Sequence, residues 1–321
     1  MFAVTATSLD ADRPLDGLTL GERPEPEPPD GWVVVDVRAT SLNHHDLWTL
    51  RGTGITEDRL PMTLGCDAAG TDPEGNEVLA HGVIASPDWL GDETLDPKRS
   101  LLSERHQGTF AERVAVPQRN LVPKPSALSF EEAACLPTAW LTAYRMLFHN
   151  GGVEPGSTVL VQGASGGVAT ALVVLGAAAG YRMWVTARTE DKRSRAIGLG
   201  ADAAFEPGAR LPQRVDAVME TVGEATWHHS LRSVRPGGRI VISGATSGPN
   251  PSADLARVFF LQLQVIGSTM GTRDELERLV QLCVTTGVRP LIDQVMPLAD
   301  ARRGFERMAA GELFGKIVFT T

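Results

Sequence analysis

The 321-residue chain predicts an α/β protein: a Rossmann-type, doubly wound parallel sheet preceded by a β-rich domain. Two observations carry that reading. The run Val159-Leu160-Val161-Gln162-Gly163-Ala164-Ser165-Gly166-Gly167-Val168-Ala169 starts as a β-branched strand, turns on glycines and continues as a small-residue apolar helix ending at Gly180. Three later segments repeat the alternation of a short β-branched run and a helical stretch, which is how βα units wind into a parallel sheet.

In chain order, Met1-Phe2-Ala3-Val4-Thr5 lacks a basic leader region and reads as a first strand, not a signal peptide. Glu22 to Asp30 is proline-rich and reads as a stiffened loop before a strand at Gly31 to Arg38. Short strands and turns dominate up to residue 120. Residues 1–120 are therefore expected to form a β-rich domain, and 121–270 the dinucleotide-binding domain. Within the latter, Arg182 to Ala187 is the second strand, with a charged helix from Glu190 to Leu199 after it. Asp216 to Glu220 is the third, leading to Thr221-Val222-Gly223 and a helix. Arg239 to Ser243 is the fourth, after the turn Arg235-Pro236-Gly237-Gly238. Leu261 to Ser268 falls last in the sheet, so it is expected at the edge, with neither proline nor charge to protect it. Helices at Asp274 to Thr286 and Ala299 to Ala310, a strand near Ile292 and a strand at Lys316 to Phe319 follow. Residues 271–321 are expected to return to the first domain and to leave a cleft between the two.

The glycine turn has the order that a pyrophosphate needs. Ala164, Gly166 and Ala169 stand where a relaxed G-x-G-x-x-G/A would, so the backbone can approach the anion and the helix N-terminus faces it. Ala164, Ser165, Gly166, Gly167 and Val168 are the candidate contacts, joined by Gly244, Ala245 and Ser268 past later strands, and by Lys316. The second strand ends on Thr186-Ala187, without the acid that would accept from an NAD ribose hydroxyl. Glu190 and Asp191 lie at about the right count. They are expected instead in the first turn of the next helix, where acids suit the dipole. Arg188 and Lys192 can then clamp a 2′-phosphate, with Thr189 donating. NADP(H) is the expected cofactor.

Bulk properties narrow the partners. A formal charge of −9 without a basic cluster argues against nucleic acid. No 18-residue apolar run suggests a membrane span. Three scattered cysteines, Cys66, Cys135 and Cys283, do not suggest a disulfide framework and fit a reducing cytoplasm. A homodimer joined through the edge strand Leu261 to Ser268 is expected.

Five segments around this fold, in order, resemble the medium-chain dehydrogenase/reductase superfamily. They are Ser41-Leu42-Asn43-His44-His45-Asp46-Leu47-Trp48 through Arg51-Gly52, Leu64-Gly65-Cys66-Asp67-Ala68-Ala69-Gly70, Gly108-Thr109-Phe110-Ala111-Glu112, Leu141-Thr142-Ala143-Tyr144 and Gly315-Lys316-Ile317-Val318. The resemblance implies a GroES-like catalytic domain and an NAD(P)H-dependent oxidoreductase. Zinc relatives hold a metal with a cysteine in the first loop, a histidine in the second and a third ligand before the linking helix. By position this chain offers Asn43, Cys66 and about Thr138, and it has no cysteine between Ala85 and Gln107, where those relatives carry a structural zinc. The resemblance therefore points to the metal-free quinone oxidoreductase and enone reductase branch, with no metal ligands assigned.

Reduction of a polarised C=C without zinc needs hydrogen-bond donors aimed at the developing enolate oxygen. The candidates are the Asn43 amide and His44 or His45, either of which can also deliver the proton. Trp48 either faces the substrate or packs the loop. Asp46 is expected to buttress the loop, and Cys66 to be a small buried thiol. An improvised metal site among His44, His45, Asp46, Cys66 and Asp67 is disfavoured, because adjacent histidines on an extended segment point to opposite faces. A metal-dependent alcohol or aldehyde dehydrogenase, and a regulator that binds NADPH without turnover, remain the alternatives.

Overall fold

The computed structural model describes residues 1–321. They form two compact units, 1–139 with 271–321, and 140–270.

The first unit is organised by the long strand Trp32–Ser41. Its first half pairs with Arg113–Pro117 (Val34 opposite Ala115), and its end pairs with the C-terminal strand Lys316–Thr320 (Phe319 opposite Thr40). The full sheet has seven strands. Leu121–Pro123, Glu77–Ala80 and Ala68–Thr71 lie on one side of Trp32–Ser41, with Lys316–Thr320 and Ile292–Pro297 on the other. A smaller sheet joins Leu18–Glu22, Phe2–Ala6 and Met62–Thr63. Val4, Leu42, Leu64, Phe110, Phe305 and Phe319 are buried in one cluster, where Phe110 meets Phe319 edge-on at 5.3 Å. Aromatic rings prefer that tilted contact, because the positive ring edge faces the negative ring face.

Residues 121–139, expected in the nucleotide-binding domain, pack here instead. Leu121–Pro123 completes the ladder beside Glu77–Ala80, and the helix Phe130–Ala134 lies against Trp32–Ser41 and Ala68–Thr71. The boundary thus follows strand partners that are distant in sequence, which composition does not reveal.

The second unit has six parallel strands in the order Ala203–Phe205, Arg182–Thr186, Thr158–Val161, Val215–Glu220, Val234–Ile242, Gln264–Gly267. The order reverses between Thr158–Val161 and Val215–Glu220, and ligands of such sheets bind at the strand C-termini there. Ala203–Phe205 escaped the sequence reading; three residues are too few to show periodicity. The helix Gly167–Ala178 lies close on the sheet because Gly176 carries no side chain; a Cβ there would collide with the Met183 sulfur. Gln264–Gly267 is an edge strand, as the sequence predicts, and Val265 on it is 43% exposed. The preceding helix Leu255–Phe260 exposes Leu255, Phe259 and Phe260. No helix is long and apolar enough to cross a membrane.

Candidate active site

The glycine turn begins where Thr158–Val161 ends. Gly163 has φ +86°, a left-handed conformation that glycine adopts without strain. A buried chain of hydrogen bonds holds it from beneath. Gly163 N donates to Thr186 Oγ1 (3.1 Å), Thr186 to Gln162 Oε1 (2.9 Å), Gln162 Nε2 to Ser230 Oγ (3.0 Å) and Ser230 to Glu220 Oε2 (2.6 Å). Sequence reasoning missed this network because its members come from the turn, two strands and a helix. Gly166 caps the helix Gly167–Ala178, and a Cβ placed on it would meet nothing within 4 Å. Protein packing does not require that glycine. The open space lies beside the unpaired first-turn N–H groups of a 12-residue helix, which suits a pyrophosphate.

Arg188 is exposed and forms no ion pair. Lys192 Nζ reaches back to Ser165 Oγ at 3.3 Å, bringing a cation to the turn. Partial burial and the neighbouring Arg188 and Arg195 charges lower its pKa, against the raising effect of Asp191. Glu190 and Asp191 do lie in the first helical turn, and Glu190 is bonded to Arg193 at 2.7 Å. Thr189 caps that helix: its hydroxyl oxygen accepts from Lys192 N at 3.3 Å, which leaves its O–H able to donate. Gly244 and Ala245 are half-buried just past Val234–Ile242, and Ser268 follows Gln264–Gly267, with its N donating to Ile242 O at 2.8 Å. All three lie past C-terminal strand ends, as the turn does.

Lys316 requires the clearest correction. Expected at the cofactor, it is 3% exposed in the first unit. Its Nζ donates to Asn43 Oδ1 (2.5 Å) and Leu42 O (2.8 Å) and lies 3.6 Å from Asp67 Oδ2. Asn43 is corrected with it. Its Nδ2 donates to Asp67 Oδ2 (2.8 Å) and Ser41 O (3.2 Å), which occupies both amide hydrogens, and the residue is buried. An amide spent on its own protein does not stabilise a substrate oxygen. Ser41 Oγ adds a further bond to Asp67 Oδ2 at 2.5 Å.

The first loop is helical rather than extended. His44–Leu50 forms a short helix, with Asp46 Oδ2 accepting from Asn43 N (2.8 Å) and Oδ1 from Gly65 N (3.0 Å). Asp46 thus buttresses two loops at once. His44 is exposed, with its ring 6.3 Å from the half-buried Trp48. Desolvation against its neighbours and the Lys316 charge lower the His44 pKa, which favours neutral imidazole. His45 behaves oppositely. Its burial would lower the pKa, yet hydrogen bonds with Asp46, Cys66 and Glu104 outweigh this and raise it well above 6.5. Nε2 lies 3.2 Å from Glu104 Oε1, and Nδ1 lies 3.5 Å from Ser103 Oγ. Glu104, whose own pKa is lowered by His45 against the effect of burial, carries no local motif and was not foreseen.

Asn43, Cys66 and Thr138, the three positions aligned with zinc ligands, come together. Cys66 Sγ is 3.3 Å from Thr138 Oγ1 and 3.8 Å from Asn43 Nδ2. Thr138 is delivered by the π-helical turn Leu136–Trp140, a wide turn often found at functional positions. Burial pushes the Cys66 thiol up, despite His45 nearby. Separately, single ligand atoms of His45, Asp46 and Cys66 lie within 4.8 Å of one another. All three cysteines are unpaired and buried.

Residues 167–285 match the zinc-binding dehydrogenase family, and residues 29–126 match the alcohol dehydrogenase GroES-like domain. An acryloyl-coenzyme A reductase of Metallosphaera sedula is 29% identical over 95% of this chain and 97% of its own. A human quinone oxidoreductase is 28% identical over 89% and 88% respectively. The crystal structure of an NAD-dependent alcohol dehydrogenase superposes over the whole of both chains with a TM-score of 0.92 and 32% identity.

Proposed function

The chain belongs to the medium-chain dehydrogenase/reductase superfamily and is an NAD(P)H-dependent oxidoreductase, and from that premise we propose that it reduces the C=C of an α,β-unsaturated carbonyl or quinone, with NADPH and without a metal. The observation that carries the metal-free part is the donor set at the zinc position. An amide and a hydroxyl stand at two of the three positions, so Cys66 is the one donor left of the Cys, His or carboxylate set that zinc takes. The Lys316 ammonium bonded to Asn43 adds a positive charge where a cation would sit.

Bound NADPH supplies the hydride. The glycine turn and helix Gly167–Ala178 hold the pyrophosphate, with Gly244, Ala245 and Ser268 along the same edge, while Arg188 and Lys192 with Ser165 hold the 2′-phosphate. His45 holds the proton: its raised pKa keeps the imidazolium populated at neutral pH, and Glu104 with Asp46 fixes the ring. The substrate class is supported by the names of the Metallosphaera and human relatives. NADPH consumption across enones, quinones, acryloyl-CoA and aldehydes tests it. Turnover of the first three classes is expected, and turnover of saturated aldehydes alone would overturn the reading.

A second reading, a zinc-type alcohol dehydrogenase with an atypical site, is favoured by the His45, Asp46 and Cys66 group. Against it, both Asp46 oxygens already accept backbone N–H groups in the buried core. Metal analysis decides between them. Well under one zinc per chain with activity retained in chelator is expected; stoichiometric zinc with activity lost on chelation would favour the second reading.

The protein is further proposed to be a cytoplasmic homodimer joined along Gln264–Gly267. The open edge, the exposed Val265 and the exposed Phe259 and Phe260 beside it support self-pairing. Light scattering at micromolar concentration should return a dimer mass that Val265→Lys halves. A monomeric wild type would refute the seam.

A further inference from the structure

On the nucleotide-binding unit, a groove of about 690 Å³ runs between the loop after Ala203–Phe205 and the helices Glu224–Ser233 and Leu255–Phe260. Arg210, Arg214, Arg232 and Arg257 line it with His228 and His229, and no carboxylate lines it. In a chain of net charge −9 this is a local reversal of sign. Two of the arginines are already engaged: Arg257 lies 3.3 Å from Asp254, and Arg214 donates to Val234 O at 3.4 Å. Arg210 and Arg232 have no hydrogen-bond or ion-pair partner.

The wall carrying Arg210 is tethered. His229 Nε2 donates to Ala209 O (2.9 Å), and its Nδ1 accepts from Gln162 Nε2 (2.9 Å), fixing the loop to helix Glu224–Ser233. Neither the glycine turn 163–168, nor Arg188, nor Lys192 borders the groove. The dinucleotide's anion contacts are therefore separate from it.

We propose that this groove is a second anion site, binding a phosphate-bearing polyanion of nucleotide size through the guanidinium forks of Arg210 and Arg232. Guanidinium matches phosphate oxygens two at a time, and unpaired like charges around one concavity are relieved by a dianion. The volume falls in the range of small-ligand sites. A free nucleoside diphosphate and the phosphoadenosine end of coenzyme A share this chemistry, and the proposal stands whatever the reduced substrate proves to be.

The test is calorimetric titration of the full chain, saturated with NADP⁺, using ADP, coenzyme A and 3′-dephospho-coenzyme A. One-to-one binding in the micromolar range is expected for at least one of them. It should be weakened at least tenfold by the double variant Arg210→Glu, Arg232→Glu, and weakened again by added salt. The variant should bind NADP⁺ as the wild type does, which shows that it is folded. Coenzyme A binding tighter than its dephospho form assigns the acyl carrier; equal affinity for ADP and coenzyme A assigns the nucleoside diphosphate. The site is refuted if none binds below millimolar concentration, if the double variant keeps the affinity, or if NADP⁺ displaces the ligand.

Discussion

The glycine turn of the second unit and the polar cluster around Asn43 in the first are both dense in hydrogen-bonding groups, but they differ in what remains unspent. At the turn, the protein's own bonds lie beneath the loop, and the outward groups are unused: the first-turn N–H groups, the open side of Gly166 and the Arg188 guanidinium. At Asn43, the amide, Lys316, Ser41 and Asp67 Oδ2 bond to one another in the dry interior, and Asp67 Oδ1 is left without a partner. A residue type that looks catalytic in a motif is free for chemistry only if the fold leaves its polar atoms unpaired. By that criterion the glycine turn is fitted to hold a ligand and the Asn43 cluster to hold a loop, with the half-buried His45 beside it as the proposed proton source.

The sharpest way to break this contrast is to disturb the closed cluster. Lys316→Met leaves the Asp67 carboxyl 0% exposed and without its cation. Removing one member of a buried pair typically costs about 3–5 kcal/mol, so the denaturant midpoint should fall steeply, with partial recovery in Lys316→Met, Asp67→Asn. Asn43→Ala should likewise appear mainly as lost stability. A wild-type midpoint with turnover lost would return Asn43 to the chemistry.

Next in size is His45→Gln. General acid catalysis contributes about 10²–10⁴-fold, so kcat should fall by roughly two decades at unchanged NADPH affinity. The sign of the pH dependence follows from the raised pKa of His45. The imidazolium is present through neutral pH, so wild-type activity should decline as pH rises through the folded-state value, and the variant should lack that limb. The same linkage makes the His45 contribution to stability complete below about 6.5, the value the unfolded chain takes, and lost as pH rises through the folded-state pKa. An unchanged rate profile would move the proton source to the exposed His44 or to water.

At the open region the expected effects are smaller. Arg188→Ala should weaken NADPH by one to two decades, since a charge-assisted phosphate bond is worth about 1.5–3 kcal/mol, while NADH binding should not change. Glu190→Gln should do least. Its exposed pair with Arg193 is worth a few tenths of a kcal/mol at most, and the preference for NADPH should persist. A loss of NADH affinity in that variant would show that Glu190 serves the ribose after all.

The glycine turn was legible because its determinants are adjacent in the chain. Strand, turn and helix N-terminus lie within Thr158–Ala178, and the placement of Glu190 and Asp191 follows from local capping by Thr189. The edge position of Gln264–Gly267 was legible from strand order. The Asn43 region was legible only as a set of positions. That His44 opens a helix depends on Asp46 finding both Asn43 N and Gly65 N. That Glu104 holds His45 depends on a contact spanning 59 residues.

By itself, then, the sequence determined the architecture and the nucleotide turn, because periodicity, glycine placement and helix capping act over a few neighbouring residues. Only the tertiary structure decided which candidate groups are free. Lys316 reaches Asn43 across 273 residues because the C-terminal strand pairs with Trp32–Ser41. A buried polar atom takes whatever partner folding brings within hydrogen-bond distance, and no local pattern records that choice.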